Sequence, residues 1–488
     1  MPLDANAAYL GLVARDARFD GQWFVGVTST RIYCRPICRV RTPRRENCRF
    51  FDTPAQAEAA RFRPCLKCRP EMAPGPGLPW TVMDASRTLA HQAARLLDAC
   101  ATSGEAPRLA SMAQQLGVSD RHLRRIFQAE HGVTPVQHLQ TRRLLMAKQL
   151  LTDTRLSMPQ VALASGFGSL RRFNAAFADS YRMSPSRLRG AAAGAAPSAE
   201  SGVTVRLSYR APYDTTRFTR FLAQRAIPGV EEISALCIRR TLRAGVVANS
   251  AGWIEARFMP DAAQVHLRFA PELAPSSARV VGAVRRWLDL DAAPHRIDHA
   301  LQTLPGDAGL RLPGSLDTFE LAVRAILGQQ VTVAAARTLA RRVVERFGTP
   351  MATPWENVNR LFPAPLQLAR TAPEHLAELG LIRTRAQAIV ALARAWPALS
   401  LDSHPPPEHL IQQLCALPGI GPWTAHYIAM RALSWPDAFP PQDVALLKAM
   451  KQLFQCTSQR EAEAIAQAWR PWRAYAVLRL WNSLEKTP

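Results

Sequence analysis

The sequence predicts a multidomain protein of four folded parts. These are a small α+β cysteine-rich domain, an all-α domain of tandem helix-turn-helix units, an α+β domain of short strands, and an all-α domain built on a helix-hairpin-helix. Three observations predict it. A chain of 488 residues exceeds what one hydrophobic core organises, and its 48% hydrophobic content excludes wholesale disorder. Five of the nine cysteines, at 34, 38, 48, 65 and 68, crowd into one short stretch. The hydrophobic pattern then runs helical, strand-like, and helical again.

Composition narrows the partners. Lys and Arg number 61 against 38 acids, a net charge of +23, and residues 1–190 alone carry 28 bases and 14 acids. So basic a chain points to a polyanion, nucleic acid first, although arginine-rich codon usage supplies some of the excess. No apolar run reaches the roughly 18 residues that a bilayer requires. The N-terminal residues show no basic segment leading into an apolar one, so no signal peptide or membrane association is expected and the cytoplasm is the expected compartment.

The boundaries follow from breakers. Residues 1–78 are rich in Cys and Arg and end in a Pro/Gly run from Pro74 to Pro79. Residues 79–190 are helical in pattern, and 191–202 form a linker whose Ala, Gly, Ser and Pro offer nothing to bury. Residues 203–297 contain strand-like alternation at 203–209, 253–258 and 265–269. Residues 298–488 return to helical periodicity interrupted by Gly and Pro.

Cys34 and Cys38 form one chelating pair, and Cys65 and Cys68 a second after 26 intervening residues. In a reducing compartment such pairs suggest metal before disulfide, and two pairs complete a tetrahedral site for one Zn²⁺. By spacing alone this describes a structural zinc ribbon, the staple that a domain with so small a core needs. The surrounding YCRPIC (33–38), RENCRFF (45–51) and FRPCLKCRP (62–70) resemble the N-terminal domain of the Ada-type methylation sensors. The resemblance implies that Cys34, Cys38, Cys65 and Cys68 bind zinc and that Cys34 accepts a methyl group from a DNA methylphosphotriester. Cys48 lies outside the pattern and reads as a small apolar residue.

One internal repeat stands out in the second part. Ser119, Arg121, Phe127 and Pro135 recur fifty residues later as Ser169, Arg171, Phe177 and Pro185. Each copy reads as a small-residue helix, a Gly-containing turn and an Arg-rich helix, the pattern of a helix-turn-helix. Residues 108–189, with the closing MSPSRLR (183–189), resemble the DNA-binding domain of AraC-type activators. That implies recognition helices near Asp120–Phe127 and Ser169–Phe177. Arg121, Arg124, Arg125, Arg171, Arg172 and Asn174 are the candidate DNA contacts. Leu123, Ile126, Phe127, Phe173 and Phe177 are the expected core. A helical protein-interaction module is the other reading, and arginine clustering on both second helices favours DNA.

In the last part LCALPGIGPWTA (414–425) has the form of a helix-hairpin-helix. Pro418, Gly419, Ile420, Gly421 and Thr424 make the turn and helix start whose backbone N–H groups can hold a DNA phosphate. Alone, it says only that the chain binds DNA backbone. Asp443, about twenty residues on after FPPQ, would in isolation be a helix N-cap. Together, hairpin and aspartate resemble the helix-hairpin-helix DNA glycosylases, which implies that Asp443 is catalytic.

FELAVRAILGQQ (319–330), WRPWRAYAVLRLW (469–481) and the strand-rich stretch before 298 extend this to a resemblance with AlkA-type 3-methyladenine DNA glycosylases over about 203–485. By position Trp423, Tyr427 and Trp481 then form the base pocket, although each by itself is compatible with core. Gln330 stands where the family's wedge is leucine, and Gln442 replaces an acid beside the catalytic one. Trp423 occupies the slot of the Schiff-base lysine of glycosylase/lyases, and no four-cysteine iron–sulfur loop follows. Both absences imply a monofunctional enzyme.

Three functions compete. One is a DNA repair enzyme with an attached sensor-regulator. The partners it implies are alkylated and operator double-stranded DNA and, in activation, RNA polymerase; a monomer is expected. A second is a transcription activator whose catalytically weak glycosylase half serves as scaffold. The third, direct O6-methylguanine reversal, requires a Pro-Cys-His-Arg motif that the sequence lacks. Cys100, Cys237, Cys415 and Cys456 have no such context and read as packing residues.

Overall fold

The structure, a computed structural model, describes residues 4–75, 85–103, 108–192, 202–243, 251–399 and 407–484. The end of the first breaker run (76–79) and most of the expected 191–202 linker lie outside the described residues. The chain divides into two compact units: residues 1–211 with 259–285 and 290–293, and residues 212–258 with 286–289 and 294–488.

The first unit begins with the helix Ala5–Val13, whose N-terminus Asp4 caps by accepting from the amides of Asn6 and Ala7. A small sheet follows. Phe24–Val27 lies between Cys48–Phe51 and Ile32–Cys34, antiparallel to both, and Arg63–Pro64 pairs parallel with Ile32–Cys34. Gly26 is required at the centre, since a Cβ there would meet the rings of Phe51 and Phe62 at 2.8 and 2.9 Å. Trp23 and Val25 share one buried cluster with Cys34, Cys38, Cys48 and Cys65, so the cysteines are themselves part of this domain's core.

The helices that follow explain the repeat physically. Leu109–Gln115 with Asp120–His131 and Met158–Ala164 with Leu170–Tyr181 are the two helix-turn-helix pairs. The long helix Pro135–Asp153 runs from the first pair to the second. Ser119 and Ser169 each cap a second helix, accepting from the amides of His122 and Arg172 at 3.2 Å. Phe127 and Phe177 are completely buried, and Pro135 and Pro185 each open the next helix. Three of the four repeated residues are thus cap, core anchor and helix start, and the fourth, Arg121 or Arg171, is exposed.

Buried charge joins these parts. Lys148 on the long helix pairs with Glu71, and Arg69 bridges Glu71 at 2.9 Å and Asp153 at 2.6 Å. Burial works against ionisation of Glu71, yet Lys148 and Arg69 outweigh it and hold the carboxyl below its ordinary range. Arg210, which follows the strand Val203–Ser208, is 1% exposed. Its guanidinium donates to the backbone carbonyls of Asp20, Pro74, Gly75, Asp291 and Ala292. Val203–Ser208 pairs antiparallel with Gln264–Phe269.

The second unit contains the strands Glu231–Ile233, Cys237–Arg243 and Ala251–Met259, antiparallel with Cys237–Arg243 in the middle. Only the last of these shows in the sequence pattern. The other two contain Glu231 and Arg240, buried at 6% and 4% exposure, and such charges mask the alternation. Arg240 pairs with Glu231 at 3.2 Å and Glu320 at 2.6 Å, and Arg324 meets both acids at 2.8 Å. The nearly all-buried helix Thr318–Leu327 packs against Arg383–Leu399 and Pro422–Ala432. Val444–Phe454 packs against Arg473–Ser483. The architecture is therefore the multidomain arrangement expected, with a small sheet-bearing cysteine domain, tandem helix-turn-helix units and a helical hairpin domain. Among the described residues no helix is long and apolar enough to cross a membrane.

Glu58 gives a test of the seam inside the first unit. Its carboxylate accepts from Tyr33 Oη at 3.1 Å and Thr141 Oγ1 at 2.8 Å, and burial pushes its pKa up to about 7 from an ordinary 4.5. Between those values the folded protein holds a proton that the unfolded chain has released, so this contribution to stability falls as pH rises through the window. Glu58→Gln removes that fall. The expected result is that urea midpoints of variant minus wild type grow with pH between about 4.5 and about 7.

Candidate functional site

The metal centre is assembled by register. Parallel pairing of Tyr33 with Pro64 sets Cys34 beside Cys65, and the Cys65 amide donates to the Tyr33 carbonyl at 2.9 Å. The turn from Cys34 closes through the Cys38 amide on the Arg35 carbonyl at 3.1 Å. All four sulfurs of Cys34, Cys38, Cys65 and Cys68 lie within 4.8 Å of one another. A tetrahedral site with Zn–S bonds of about 2.3 Å needs S···S separations of about 3.8 Å, so the donor set fits zinc in number, chemistry and spacing.

Crowding lets the thiols share protons. Cys38 is brought down to about 7, chiefly through its bond to Cys34, while Cys34 is pushed well above the usual thiol range, chiefly through Cys38. Arg35 braces the loop, donating to Asp20 Oδ1 at 2.8 Å and to the Cys68 carbonyl at 3.1 Å, while its own amide points at Cys68 Sγ at 3.3 Å. Cys48 stays outside the set, bonding the Arg44 carbonyl at 3.3 Å.

On the helix-turn-helix units the candidate DNA contacts and the expected core residues fall on different faces. Arg121, Arg124, Arg125, Arg171, Arg172 and Asn174 are all exposed, and Leu123, Ile126, Phe127, Phe173 and Phe177 are all buried. Arg124 is tied to Asp120 one turn earlier at 3.0 Å, a weak restraint at these exposures.

The hairpin lies between the helices Pro407–Cys415 and Pro422–Ala432. Gly419 has φ 77°, and a Cβ there would meet Ala388 Cβ at 2.7 Å, so both conformation and space demand glycine. No side chain caps Pro422–Ala432, which leaves its first amides for an anion. Pro418, Gly419 and Gly421 are exposed, whereas Ile420 and Thr424 are buried at 4% and 2%. Cys415 departs from its expected packing role: it is exposed, because Leu410 and Leu414 occupy the core-facing side of that helix.

Asp443 occupies the N-cap of Val444–Phe454 and is 7% exposed. Both its oxygens are engaged. Oδ1 accepts from the Leu446 amide at 2.6 Å and Trp481 Nε1 at 3.0 Å, and Oδ2 accepts from Trp423 Nε1 at 2.6 Å. The N-cap reading of this residue holds, and its second oxygen is left to the indole of Trp423. Trp423 stacks on Tyr427 with centroids 5.5 Å apart at 16°, and Tyr427 stands 6.4 Å from Trp481 at 39°. Acid and aromatic trio, from three helices, are one constellation of half-buried rings around a carboxylate.

Some members escaped sequence reasoning. Arg431 donates to Tyr427 Oη at 2.7 Å and to the carbonyls of Pro313 and Gly314. Burial raises the Tyr427 phenol, but Arg431, Arg225 and Arg324 outweigh it and hold its pKa below the ordinary value. Gln329, beside the exposed Gln330, reaches the hairpin itself. An arginine one turn after a pocket tyrosine is a signal that was available; the reach of Gln329 leaves none.

Four family models match in succession: the metal binding domain of Ada at residues 7–71, a helix-turn-helix domain at 112–191, the AlkA N-terminal domain at 204–317, and the HhH-GPD superfamily base excision DNA repair protein at 323–474. The chain is 38% identical to the probable bifunctional transcriptional activator/DNA repair enzyme AlkA of Mycobacterium tuberculosis, over 99% of this chain and 97% of that protein. It is 36% identical to DNA-3-methyladenine glycosylase 2 of Escherichia coli over 56% of this chain and 95% of the relative. It is 35% identical to the bifunctional transcriptional activator/DNA repair enzyme Ada of Escherichia coli over 27% of this chain and 34% of that one.

Trp423→Phe keeps a ring in the stack and removes the N–H that satisfies Asp443 Oδ2. Leaving that buried acceptor unpaired is expected to cost about 1–3 kcal/mol, read as a lower denaturation midpoint.

Proposed function

The chain belongs to the AlkA-type family of bifunctional transcriptional activator/DNA repair enzymes, and from that premise we propose two chemical events on alkylated DNA. The C-terminal half hydrolyses the N-glycosidic bond of alkylated bases of the 3-methyladenine kind. The N-terminal half takes a methyl group from a backbone phosphotriester and couples this to sequence-specific binding and activation.

The observation that carries the first event is the assembly of Asp443 with Trp423, Tyr427 and Trp481. A purine alkylated at N3 or N7 is cationic and departs without a general acid. The protein has to extrude the nucleotide, receive the electron-poor base against aromatic faces, and steady positive charge on the sugar. The hairpin amides hold a phosphate, Gln330 enters the vacated stack, and the rings accept the base. Asp443, held by two indole N–H groups and a helix N-terminus, offers a fixed negative charge to the oxocarbenium-like sugar and orients the attacking water. Without a lysine at Trp423, no Schiff base forms and the enzyme is monofunctional.

For the second event, bound Zn²⁺ would keep the sulfurs of Cys34, Cys38, Cys65 and Cys68 as thiolates. Cys34 Sγ bonds to the methyl carbon, the carbon–oxygen bond breaks, and the electron pair stays on the phosphate as a diester anion. The site's formal charge goes from −2 to −1, which lessens its repulsion of the DNA backbone. The partners are then alkylated and operator DNA, with RNA polymerase during activation, and the chain acts as a cytoplasmic monomer at the nucleoid. An activator whose glycosylase half serves only as a scaffold is the second reading, and release of bases from methylated DNA distinguishes the two.

Asp443→Asn is expected to fold and bind DNA yet release no 3-methyladenine from methylated DNA, measured by chromatography of freed bases; release near the wild-type rate sinks the assignment. Cys34→Ala is expected to gain no 14 Da adduct from methylphosphotriester DNA in intact-protein mass spectrometry. Equal labelling of variant and wild type moves the acceptor elsewhere.

A further inference from the structure

The loop between Thr318–Leu327 and Val333–Phe347 carries two glutamines with different fates. Gln330 is exposed with φ 53°, a left-handed conformation that costs a non-glycine residue energy unless its neighbours impose it. Gln329 supplies the restraint. Its side-chain amide donates to the Gly419 carbonyl at 2.9 Å and to Thr424 Oγ1 at 3.0 Å, one on the hairpin turn and one at the start of the next helix. Its own carbonyl accepts from the guanidinium of Arg385, which is 9% exposed on Arg383–Leu399. That same helix presents Ala388, against which Gly419 sits too closely to admit a Cβ. The Gln330 loop and the phosphate-facing hairpin are thereby one clamp with Gln329 as its pin.

We propose that Gln329 is a positioning residue that couples the hairpin's grip on DNA to insertion of Gln330 into the duplex. The inference rests on the roles assigned above to the hairpin and to Gln330. Extruding a nucleotide costs the stacking and pairing of its base, and a wedge that replaces them has to be held in place relative to the DNA backbone. The hairpin, fixed to a phosphate, is the anchor, and the two hydrogen bonds of Gln329 are the connection. A polar wedge gains less from stacking in the gap than an apolar one, so placement carries more of the task for Gln330.

The test compares full-length wild type with Gln329→Met, which keeps the length of the side chain and removes both donors. On 7-methylguanine in a fully paired duplex, kcat/KM is expected to fall at least about tenfold. On the same lesion in a single-nucleotide bulge, where the base is already unpaired, most of that loss is recovered. The unstacking signal of 2-aminopurine next to the lesion falls in parallel. Equal losses in both contexts, or no loss in the paired duplex, overturn the proposal. Should Gln329→Met fail to fold, Thr424→Val, which removes one acceptor and keeps the shape, decides by the same paired-to-bulged ratio. Failure of the parent reading looks different: wild type then releases base in neither context.

Discussion

Asp443 carries a carboxylate at 7% exposure, and three helices of the C-terminal half meet around it to satisfy it. Taking a carboxylate out of water costs several kcal/mol unless its lone pairs are met. Here they are met from three directions: the start of Val444–Phe454, the indole of Trp423 on Pro422–Ala432 and the indole of Trp481 on Arg473–Ser483. Those helices can converge only if they are braced, and the braces are guanidinium groups. Arg431 holds the Pro313–Gly314 backbone, Arg473 grips Asp437 at 2.7 Å, and Arg479 grips Asp298 at 2.6 Å. Removing one partner from such a buried pair typically costs about 3–5 kcal/mol, so the site and the stability of its surroundings are not separable.

The N-terminal unit meets a related constraint by other means. Its cysteine domain is small, and Cys34, Cys38 and Cys65 lie in its buried core with Cys68 packed against them. A metal held by these four cysteines would contribute to the folding of the domain. The segment after Cys68 runs directly into the Arg69–Glu71–Lys148–Asp153 cluster on the long helix, while Arg35, between Cys34 and Cys38, reaches Asp20, whose carbonyl Arg210 binds. The ligand loops are therefore attached on both sides to structure beyond their own domain.

What was legible in the sequence was what local periodicity and spacing encode. Ser119, Phe127 and Pro135 recur because each helix-turn-helix copy needs a cap, an anchor and a helix start at fixed offsets. The cysteine spacing describes chelate geometry, and the distance from the hairpin to Asp443 is that of one helix and a turn. The strand Cys237–Arg243 was not legible, because Arg240 reads as solvent-facing and is buried against acids from elsewhere in the chain. Gln329 and Arg210 escaped for the same reason. Their partners lie 90 and 190 residues away, at Gly419 and Asp20, and no local pattern reports a hydrogen bond of that range.

The same residues change the meaning of the net charge. Read as composition, +23 suggests a basic surface. Yet Arg35, Arg210, Arg240, Arg431, Arg473 and Arg479 are each at most 9% exposed and are spent on internal acids, carbonyls and ring faces. Such arginines cannot release counterions from DNA, because they meet no phosphate. Guanidinium groups able to meet a polyanion are the exposed ones, such as those of Arg121, Arg125, Arg171 and Arg172, and the first amides of Pro422–Ala432 add uncharged donors without a side-chain cap. Arginine serves both purposes for one physical reason. Its planar fork satisfies carbonyls and carboxylates inside the protein with the geometry it offers phosphates outside. A count of basic residues therefore overstates the binding surface, and the placement of each guanidinium decides which of the two tasks it performs.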